Sequence, residues 1–346
     1  MKLAQFYDGI ELYREEKIVY ARLMTPHRVL STCRSSAGGM HDDLMYLYNH
    51  QSCEPAGGHM NARMYRLAVD SPEDYKREVA DRHNLPFQRC ATLGTAANMN
   101  NAAICIERFC DLEVVTVCTG GVEGNAGRAG DPATYYEPQD DSAKGQIDLE
   151  CERRPGTINA MIFLNRELTP GAMVTAVITA TEAKTAALQE LAVGSKYSEG
   201  LATGTGTDQI AVASKLGGKA ISFAGKHSKV GELIGRTMHD AVLETLALQN
   251  GLTAAGQCSS LAHLERLGTD SREMCQGIGE FLSRDNADLF EKSFSNIIKD
   301  PLTVAAVAAL VHLRDKFVWG TLPKSCMPEV MALYGAQISA AVSGKS

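Results

Sequence analysis

The sequence has no surplus of positive charge. Lys and Arg number 34 against 41 Asp and Glu, a formal net charge of −7, and the basic residues are scattered. A polyanion finds no electrostatic footprint here, which argues against nucleic acid as a partner. Long apolar runs are missing too. The longest, Leu302 to Leu313, is about a third shorter than the roughly 18 residues a membrane-crossing helix needs, so no membrane span is expected. The stretch from Met1 to Arg14 carries charges and lacks an apolar signal core, which predicts a cytoplasmic protein. The 10 cysteines include no C-x-x-C pair, and the 9 histidines no H-E-x-x-H or H-x-x-x-H pair, so no protein-bound metal is signalled. Widely spaced and mostly in apolar company, the cysteines read as reduced small hydrophobes. A G-x-x-x-x-G-K-[ST] loop is absent and no G-x-G-x-x-G opens a helix, which removes support for nucleoside triphosphate hydrolysis. No repeat of 20 to 50 residues is present.

What is present is 346 residues, 45% hydrophobic, with 31 glycines, enough for one large domain or two ordinary ones. Residues 1 to about 70 read as short β-like runs (Lys17 to Leu23, Arg28 to Thr32, Leu44 to Tyr48) broken by turns such as Pro55-Ala56-Gly57-Gly58. Ser71-Pro72-Glu73-Asp74 opens a helix that ends near Asn84. From Cys90 to about Gly225 strands alternate with glycine loops: Leu112 to Cys118, Thr157 to Asn165, Gln209 to Ser214 and Ala220 to Ala224. Thr169-Pro170 caps a helix to about Val193, and Ser228 caps another that stops at Asn250-Gly251. Beyond Gly251 the pattern is helical, with openings at Asp300-Pro301 and Pro328-Glu329. The expectation is a mixed α+β domain over residues 1–250, a mixed sheet flanked by helices, and a helical C-terminal subdomain over 251–346. Two stacked sheets between helix layers fit the same alternation.

Several residues break the structural pattern. In the helix after Pro170, Met173, Val174, Val177, Ile178, Leu188 and Leu191 form an apolar face, and helical spacing aims Lys184 into it with Thr181 alongside, while Glu182 points the other way. Such a lysine snorkels, pairs with a carboxylate, or works. Thr203-Gly204-Thr205-Gly206-Thr207-Asp208 precedes a strand, and its alternate glycines free backbone amides for an anion or an oxyanion; an ordinary tight loop with a turn aspartate reads equally from the local sequence. Gly225-Lys226-His227-Ser228-Lys229 sets cations and a histidine at a helix start. His50 and His41 are weaker candidates, as is Cys118 as a nucleophile. Asn125 and Arg128, in the glycine loop after Leu112 to Cys118, can donate to a carbonyl or an anion.

Five segments taken in order resemble the adenosylcobinamide amidohydrolase family (CbiZ): Gly120-Gly121-Val122-Glu123-Gly124-Asn125-Ala126-Gly127-Arg128-Ala129-Gly130-Asp131, Gly156-Thr157-Ile158-Asn159, Thr181 to Leu188, Ala202 to Asp208, and Gly225 to Gly235. The resemblance spans about residues 27–245. It implies hydrolysis of the amide joining aminopropanol to the corrin ring of adenosylcobinamide, in corrinoid salvage or cobamide remodelling, with adenosylated pseudo-B12 as a further substrate of some members. It implies a corrinoid partner that brings its own cobalt, and no metal held by the protein. On this reading the catalytic candidates are Asp208 as base or orienter, Lys184 as its ion partner and possible proton donor, Thr205 or Thr207 as hydroxyl nucleophile or water positioner, His227, and Asn125 as oxyanion donor with the Gly204 and Gly206 amides. Substrate contacts fall to Gly121, Arg128, Asp131, Gly204, Gly206, Lys226 and His50. A non-catalytic corrinoid-binding module is the alternative, and a homo-oligomer is left open.

Overall fold

The computed structural model describes residues 1–54, 62–133 and 156–343. The turn expected at Pro55-Ala56-Gly57-Gly58, Cys151 and the last three residues lie outside that range. The chain forms two compact units, Met1–Tyr197 with Ala202–Thr253, and Ser198–Leu201 with Ala254–Ser346.

The first unit holds two stacked sheets. Strands β1 (Lys2–Phe6), β2 (Ile10–Glu15), β3 (Ile18–Leu23), β4 (His27–Ser31), β5 (Gly39–His41) and β6 (Tyr46–Gln51) are followed by helices α1 (Arg63–Asp70) and α2 (Pro72–Arg82). Then come β7 (Cys90–Thr95), β8 (Ala103–Phe109), β9 (Leu112–Thr119), β10 (Ala126–Gly127), β11 (Asn159–Leu164), α3 (Pro170–Glu190), β12 (Gly204–Thr205), β13 (Gln209–Lys215) and α4 (Lys229–Asn250). One sheet has the order β1-β2-β3-β6-β7 and the other β5-β4-β13-β11-β9-β8. Each is mixed: β6 and β7 run parallel, as do β11 and β13, and a parallel pair requires a crossover, which α3 supplies between β11 and β13.

Period-two alternation sorts the side chains into layers. Val115, Val117, Met161, Phe163, Ala211 and Ala213 point at Leu12, Leu47 and Leu93 of the other sheet and fill the space between the two. The alternate residues Val114, Cys118, Ala160, Ile162 and Val212 pack under α3 and α4. On the outer face of the five-stranded sheet, Ile18, Tyr48 and Cys90 meet Tyr75, Val79 and Ala80 of α2. The expected mixed α+β arrangement of mixed sheet flanked by helices is found, and the sheet is doubled: two mixed sheets stack between the helix layers. The short apolar runs of the first 50 residues conceal this, because β-like pieces alone do not say that they build a second sheet.

Local chemistry sets the ends of the two long helices. Thr169 Oγ1 accepts from Ala172 N at 3.2 Å ahead of Pro170, and Ser228 Oγ accepts from Gly231 N at 3.1 Å. Helix α4 stops at Gly251, where φ is 63°, a value glycine tolerates at low cost. The strand expected over 220–224 does not form: only a single parallel bridge, Leu168 to Ile221, occurs there, and Phe223 is exposed. After the Gly217 turn the segment meets no longer partner than Leu168.

The second unit contains α5 (Ser260–Leu264), α6 (Ser271–Gly279), α7 (Arg284–Ile297), α8 (Pro301–Val318) and α9 (Met327–Ser343). Asp270 caps α6 through Arg272 N at 2.8 Å, and Asp300 caps α8 through Thr303 N at 2.8 Å. Phe294, Ile298, Val304, Val311 and Phe317 are buried, and Arg266 pairs with Asp315. Among the described residues no single helix is long and apolar enough to cross a membrane; α7 and α8 reach that length and composition only as a pair bent by 82°.

Candidate active site

The parallel register of β11 and β13 aligns Asn159 with Gln209, an offset of 50 residues that continues upstream of both strands. Thr157 thus stands beside Thr207 and Ile158 beside Asp208, where the two strands begin. Facing them, Asn125 leads into β10, which pairs with β12 through Ala126 to Thr205 and Gly127 to Gly204. Three glycine-rich loops meet at this point.

Lys184 reaches the cluster from α3. The buried face of that helix is Ala172, Met173, Ala176, Thr179, Ala180, Ala187 and Leu188, whereas Val174 and Ile178 are half exposed and Thr181 is exposed. The apolar face is therefore rotated from the expected one, because small alanines rather than β-branched residues fit against the neighbouring α4. Lys184 continues the row Ala172, Ala176, Ala180 at four-residue spacing and pairs with Asp208, the two side chains being 11% and 17% exposed. Asp208 Oδ1 also accepts from Ile158 N at 2.9 Å and Thr205 Oγ1 at 2.6 Å, and Oδ2 from Thr205 N at 3.0 Å. Gly204 makes room for the pair, since a Cβ there would lie 2.3 Å from Asp208 Oδ2 and 2.7 Å from Lys184 Nζ.

A second group of contacts adjoins the first. Asn125 Nδ2 donates to Gly156 O at 3.0 Å and to Thr207 Oγ1 at 3.3 Å. The Gly156 carbonyl can only accept, so the end of the amide facing it is the nitrogen, and Tyr197 donates its hydroxyl to the other end, Asn125 Oδ1, at 2.7 Å. Thr207 Oγ1 donates to Gly156 O at 2.9 Å and lies 2.6 Å from Thr157 Oγ1. Beneath these hydroxyls runs a buried amide chain. Asn159 Nδ2 donates to Asn49 Oδ1 at 3.0 Å and to Gly94 O at 2.9 Å, and Asn49 Nδ2 donates to Thr119 Oγ1 at 2.6 Å. The chain ties both sheets together directly below the loops.

Of the residues expected from sequence, Lys184, Asp208, Thr205, Thr207, Asn125, Gly204 and Gly206 come together. Two of them are engaged in ways the sequence does not foretell: the Thr205 hydroxyl points at Asp208, and Gly206 N donates to Asn125 O at 3.3 Å. Gly121 N donates to Thr157 O at 3.2 Å. Asp131 ties its loop down, accepting from Arg128 N at 2.7 Å and Ser195 Oγ at 2.6 Å. Lys226 pairs with Glu182, so Glu182 is exposed but not solitary, and His227 beside it is exposed. That loop meets α3 around the helix from Lys184. His50 lies elsewhere: in β6 it faces opposite to Asn49, is buried, and holds Tyr75 OH at 2.8 Å through Nδ1. Burial, helped by the positive charges of His83, Arg82 and Lys17, pushes its pKa down to about 3. Cys118 is fully buried and burial pushes its thiol up, with the Asp208 charge adding; a thiol so held is no nucleophile. Thr157 and Tyr197 are the participants sequence reasoning passes over. The signal for Thr157 is the Gly-Thr pair repeated before two strands, Gly156-Thr157 and Gly206-Thr207. Among the described residues no three His, Cys, Asp or Glu converge as a metal-ligand set.

The layered mixed α+β fold thus gathers hydroxyls, an amide and a lysine–aspartate pair at the starts of two parallel strands. The chain belongs to the adenosylcobinamide amidohydrolase family, whose match covers residues 3–254. It is 38% identical over 246 residues to the uncharacterized protein MJ1613 of Methanocaldococcus jannaschii, covering 70% of this chain and 90% of that one. Among solved structures, the L-aminopeptidase D-Ala-esterase/amidase of Ochrobactrum anthropi, described as a variant of the Ntn hydrolase fold, aligns with 70% of this chain and 83% of its own at 11% identity and a TM-score of 0.29. Likeness that low carries nothing over to this site.

Proposed function

We propose that the protein hydrolyses the amide between aminopropanol and the corrin ring of adenosylcobinamide, giving adenosylcobyric acid in cobamide salvage or remodelling, with adenosylated pseudo-B12 as a second substrate. The observation that carries this reading is the family match over residues 3–254.

The chemistry at the site supports it. Amide hydrolysis needs an attacking oxygen, donors for the carbonyl oxygen as it gains charge, and a proton for the leaving amine. Asn125 Nδ2 and the Thr207 hydroxyl converge on one carbonyl oxygen, that of Gly156, and a substrate carbonyl in the same position would receive both. Asp208 acts as an orienter: its oxygens already accept from Lys184, Thr205 and Ile158, so it fixes the loops rather than collecting a proton. Lys184 holds Asp208 and keeps a positive charge under the loops. Gly121, half-buried, adds no side chain to the loop surface that a large planar ligand would approach. The corrinoid brings its own cobalt as part of the substrate.

Anaerobic incubation in dim light with adenosylcobinamide is expected to yield adenosylcobyric acid and free aminopropanol, followed by liquid chromatography and mass. Substrate returned intact by folded protein that still binds it overturns hydrolysis and leaves a corrinoid-binding module. Lys184→Met is expected to slow turnover by about 10²-fold or more; a rate within about threefold of wild type removes the lysine from the scheme.

A further inference from the structure

The Gly156 carbonyl occupies the position proposed for the substrate carbonyl. Its oxygen accepts from Asn125 Nδ2 at 3.0 Å and from the Thr207 hydroxyl at 2.9 Å. The single Thr207 proton is committed to that oxygen, so in the 2.6 Å contact between Thr157 Oγ1 and Thr207 Oγ1 it is Thr157 that donates. A continuous line results, from Thr157 O–H through Thr207 O–H to the carbonyl of the residue just before Thr157. The next peptide unit, Thr157–Ile158, is held at both of its polar groups, which fixes the backbone that carries the Thr157 hydroxyl. Gly121 N donates to Thr157 O at 3.2 Å and Ile158 N to Asp208 Oδ1 at 2.9 Å. A Cβ on residue 156 would lie 3.0 Å from both Asn125 Cβ and Gly121 O, tighter than ordinary contact, so glycine lets this carbonyl sit close against the donors. A peptide carbonyl held by two donors, with a β-hydroxyl on the next residue, is arranged for acyl transfer onto that hydroxyl.

We propose that the chain cuts its own Gly156–Thr157 bond and that the threonine thereby exposed is the nucleophile of the amidohydrolase. Thr157 Oγ1 attacks the Gly156 carbonyl carbon, its proton passes to Thr207, and the Thr207 proton moves to the carbonyl oxygen. The tetrahedral carbon then expels the Thr157 nitrogen, which takes up the proton returned from that oxygen, and the amide has become an ester. Water hydrolyses the ester, adding its hydroxyl to the acyl carbon and its proton to Oγ1. Gly156 ends as a carboxylic acid and Thr157 as a free α-amine with its hydroxyl restored.

The cut itself rests on geometry; the use of Thr157 rests on the proposed amide hydrolysis. An α-amine, with a pKa near about 8, serves as base for the hydroxyl on the same residue. Departure of the Gly156 carboxyl also opens Asn125 and Thr207 to a substrate carbonyl. Thr157 Oγ1 then takes the corrinoid acyl group as an ester, the aminopropanol nitrogen leaves with the proton, and water releases the acid. The two pieces remain together, because β11 starts two residues beyond the cut and pairs with β9 of the first piece and β13 of the second.

The test begins with the intact mass and N-terminal sequence of the purified full chain, prepared with protease inhibitors. Two chains are expected under denaturing conditions, the second beginning Thr157-Ile158-Asn159, that travel as one particle in gel filtration. Thr157→Ala is expected to stay whole and to lose at least about 10³-fold in turnover, Thr157→Ser to be cut, and Asn125→Ala to be cut about 10²-fold more slowly. A wild-type chain that stays whole overturns the proposal, whether or not it converts adenosylcobinamide. Cutting that persists in Thr157→Ala overturns it equally. Turnover retained by folded Thr157→Ala overturns the nucleophile assignment. A chain cut at this bond that leaves adenosylcobinamide intact upholds the self-cleavage and sinks the proposed substrate instead.

Discussion

Two lysine–carboxylate pairs hang on α3, joined to residues two positions apart. Glu182 pairs with Lys226 at the surface, with side chains 47% and 62% exposed, and Lys184 pairs with Asp208 under the loops, at 11% and 17%. The charges are alike, and the turn of the helix puts them about 200° apart. What separates them is the rest of the carboxylate's surroundings. Glu182 meets water, where screening and side-chain freedom leave an ion pair with little net effect. Asp208 gathers a lysine, two backbone N–H groups and a hydroxyl, so each partner depends on it. An ion pair organises structure when the same carboxylate closes several backbone contacts, and the pairing of charges alone does not.

The sharpest way to break this contrast is Asp208→Ala. It strands the Lys184 ammonium in a mostly buried place and releases Ile158 N and Thr205 N, at an expected cost of about 3–5 kcal/mol. Denaturant unfolding measures it, and a loss below about 1 kcal/mol would put the two pairs in one class. Gly204→Ala attacks the same pair without touching its charges. Its Cβ has to displace Asp208 or Lys184, and the expected cost is about 1–3 kcal/mol with a matching fall in turnover. Unchanged stability in Gly204→Ala would mean that the loop yields and that the pair is not held in place.

A third buried ionisable group sharpens the comparison by showing burial without a dedicated counter-charge. His50 is held at a pKa of about 3 by burial and by His83, Arg82 and Lys17, with Glu78 opposing. The unfolded chain protonates this histidine near pH 6.5 and the folded one does not, so the unfolded state binds more protons between pH 6.5 and about 3. Stability therefore falls as pH drops through that window, by up to about 1.4 kcal/mol per pH unit from this group. His27, also lowered by burial, acts in the same direction. Unfolding curves at pH 7 and pH 5.5 read the slope, and His50→Phe is expected to flatten it. The smallest effect is reserved for Glu182→Ala, expected within about 0.5 kcal/mol of wild type. A larger loss would show that surface pairing on α3 contributes more than its exposure allows.

Much of this was legible in the sequence, and the gaps have physical reasons. Glycine loops ahead of strands announced where chemistry gathers, and the caps at Thr169 and Ser228 set the starts of α3 and α4 as local hydrogen bonding dictates. Helical spacing brings Lys184 inward, but hydrophobicity alone also puts Val174 and Ile178 on the apolar face, whereas close approach of α3 to α4 favours Ala176 and Ala180 instead. His50 and Asn49 differ by one residue and face opposite sides of β6, a distinction the sequence conveys only once the strand's orientation is known. Thr157 was invisible as a participant, since its neighbour Thr207 lies 50 residues on and only the register of β11 with β13 joins them.

The pairing of β4 with β13 sets a schedule for making the protein. Thr32 bonds Ile210 across 178 positions of chain, and Ser31 lies opposite Ala211. A ribosome adding roughly 5–20 residues per second needs roughly 10–35 s to deliver the second partner after the first. During that wait β4 presents an unfilled strand edge, the kind of template on which nascent chains mispair. Conditions that slow synthesis between these segments lengthen the exposure, and the yield of folded protein in a cell becomes a matter of timing as well as of stability.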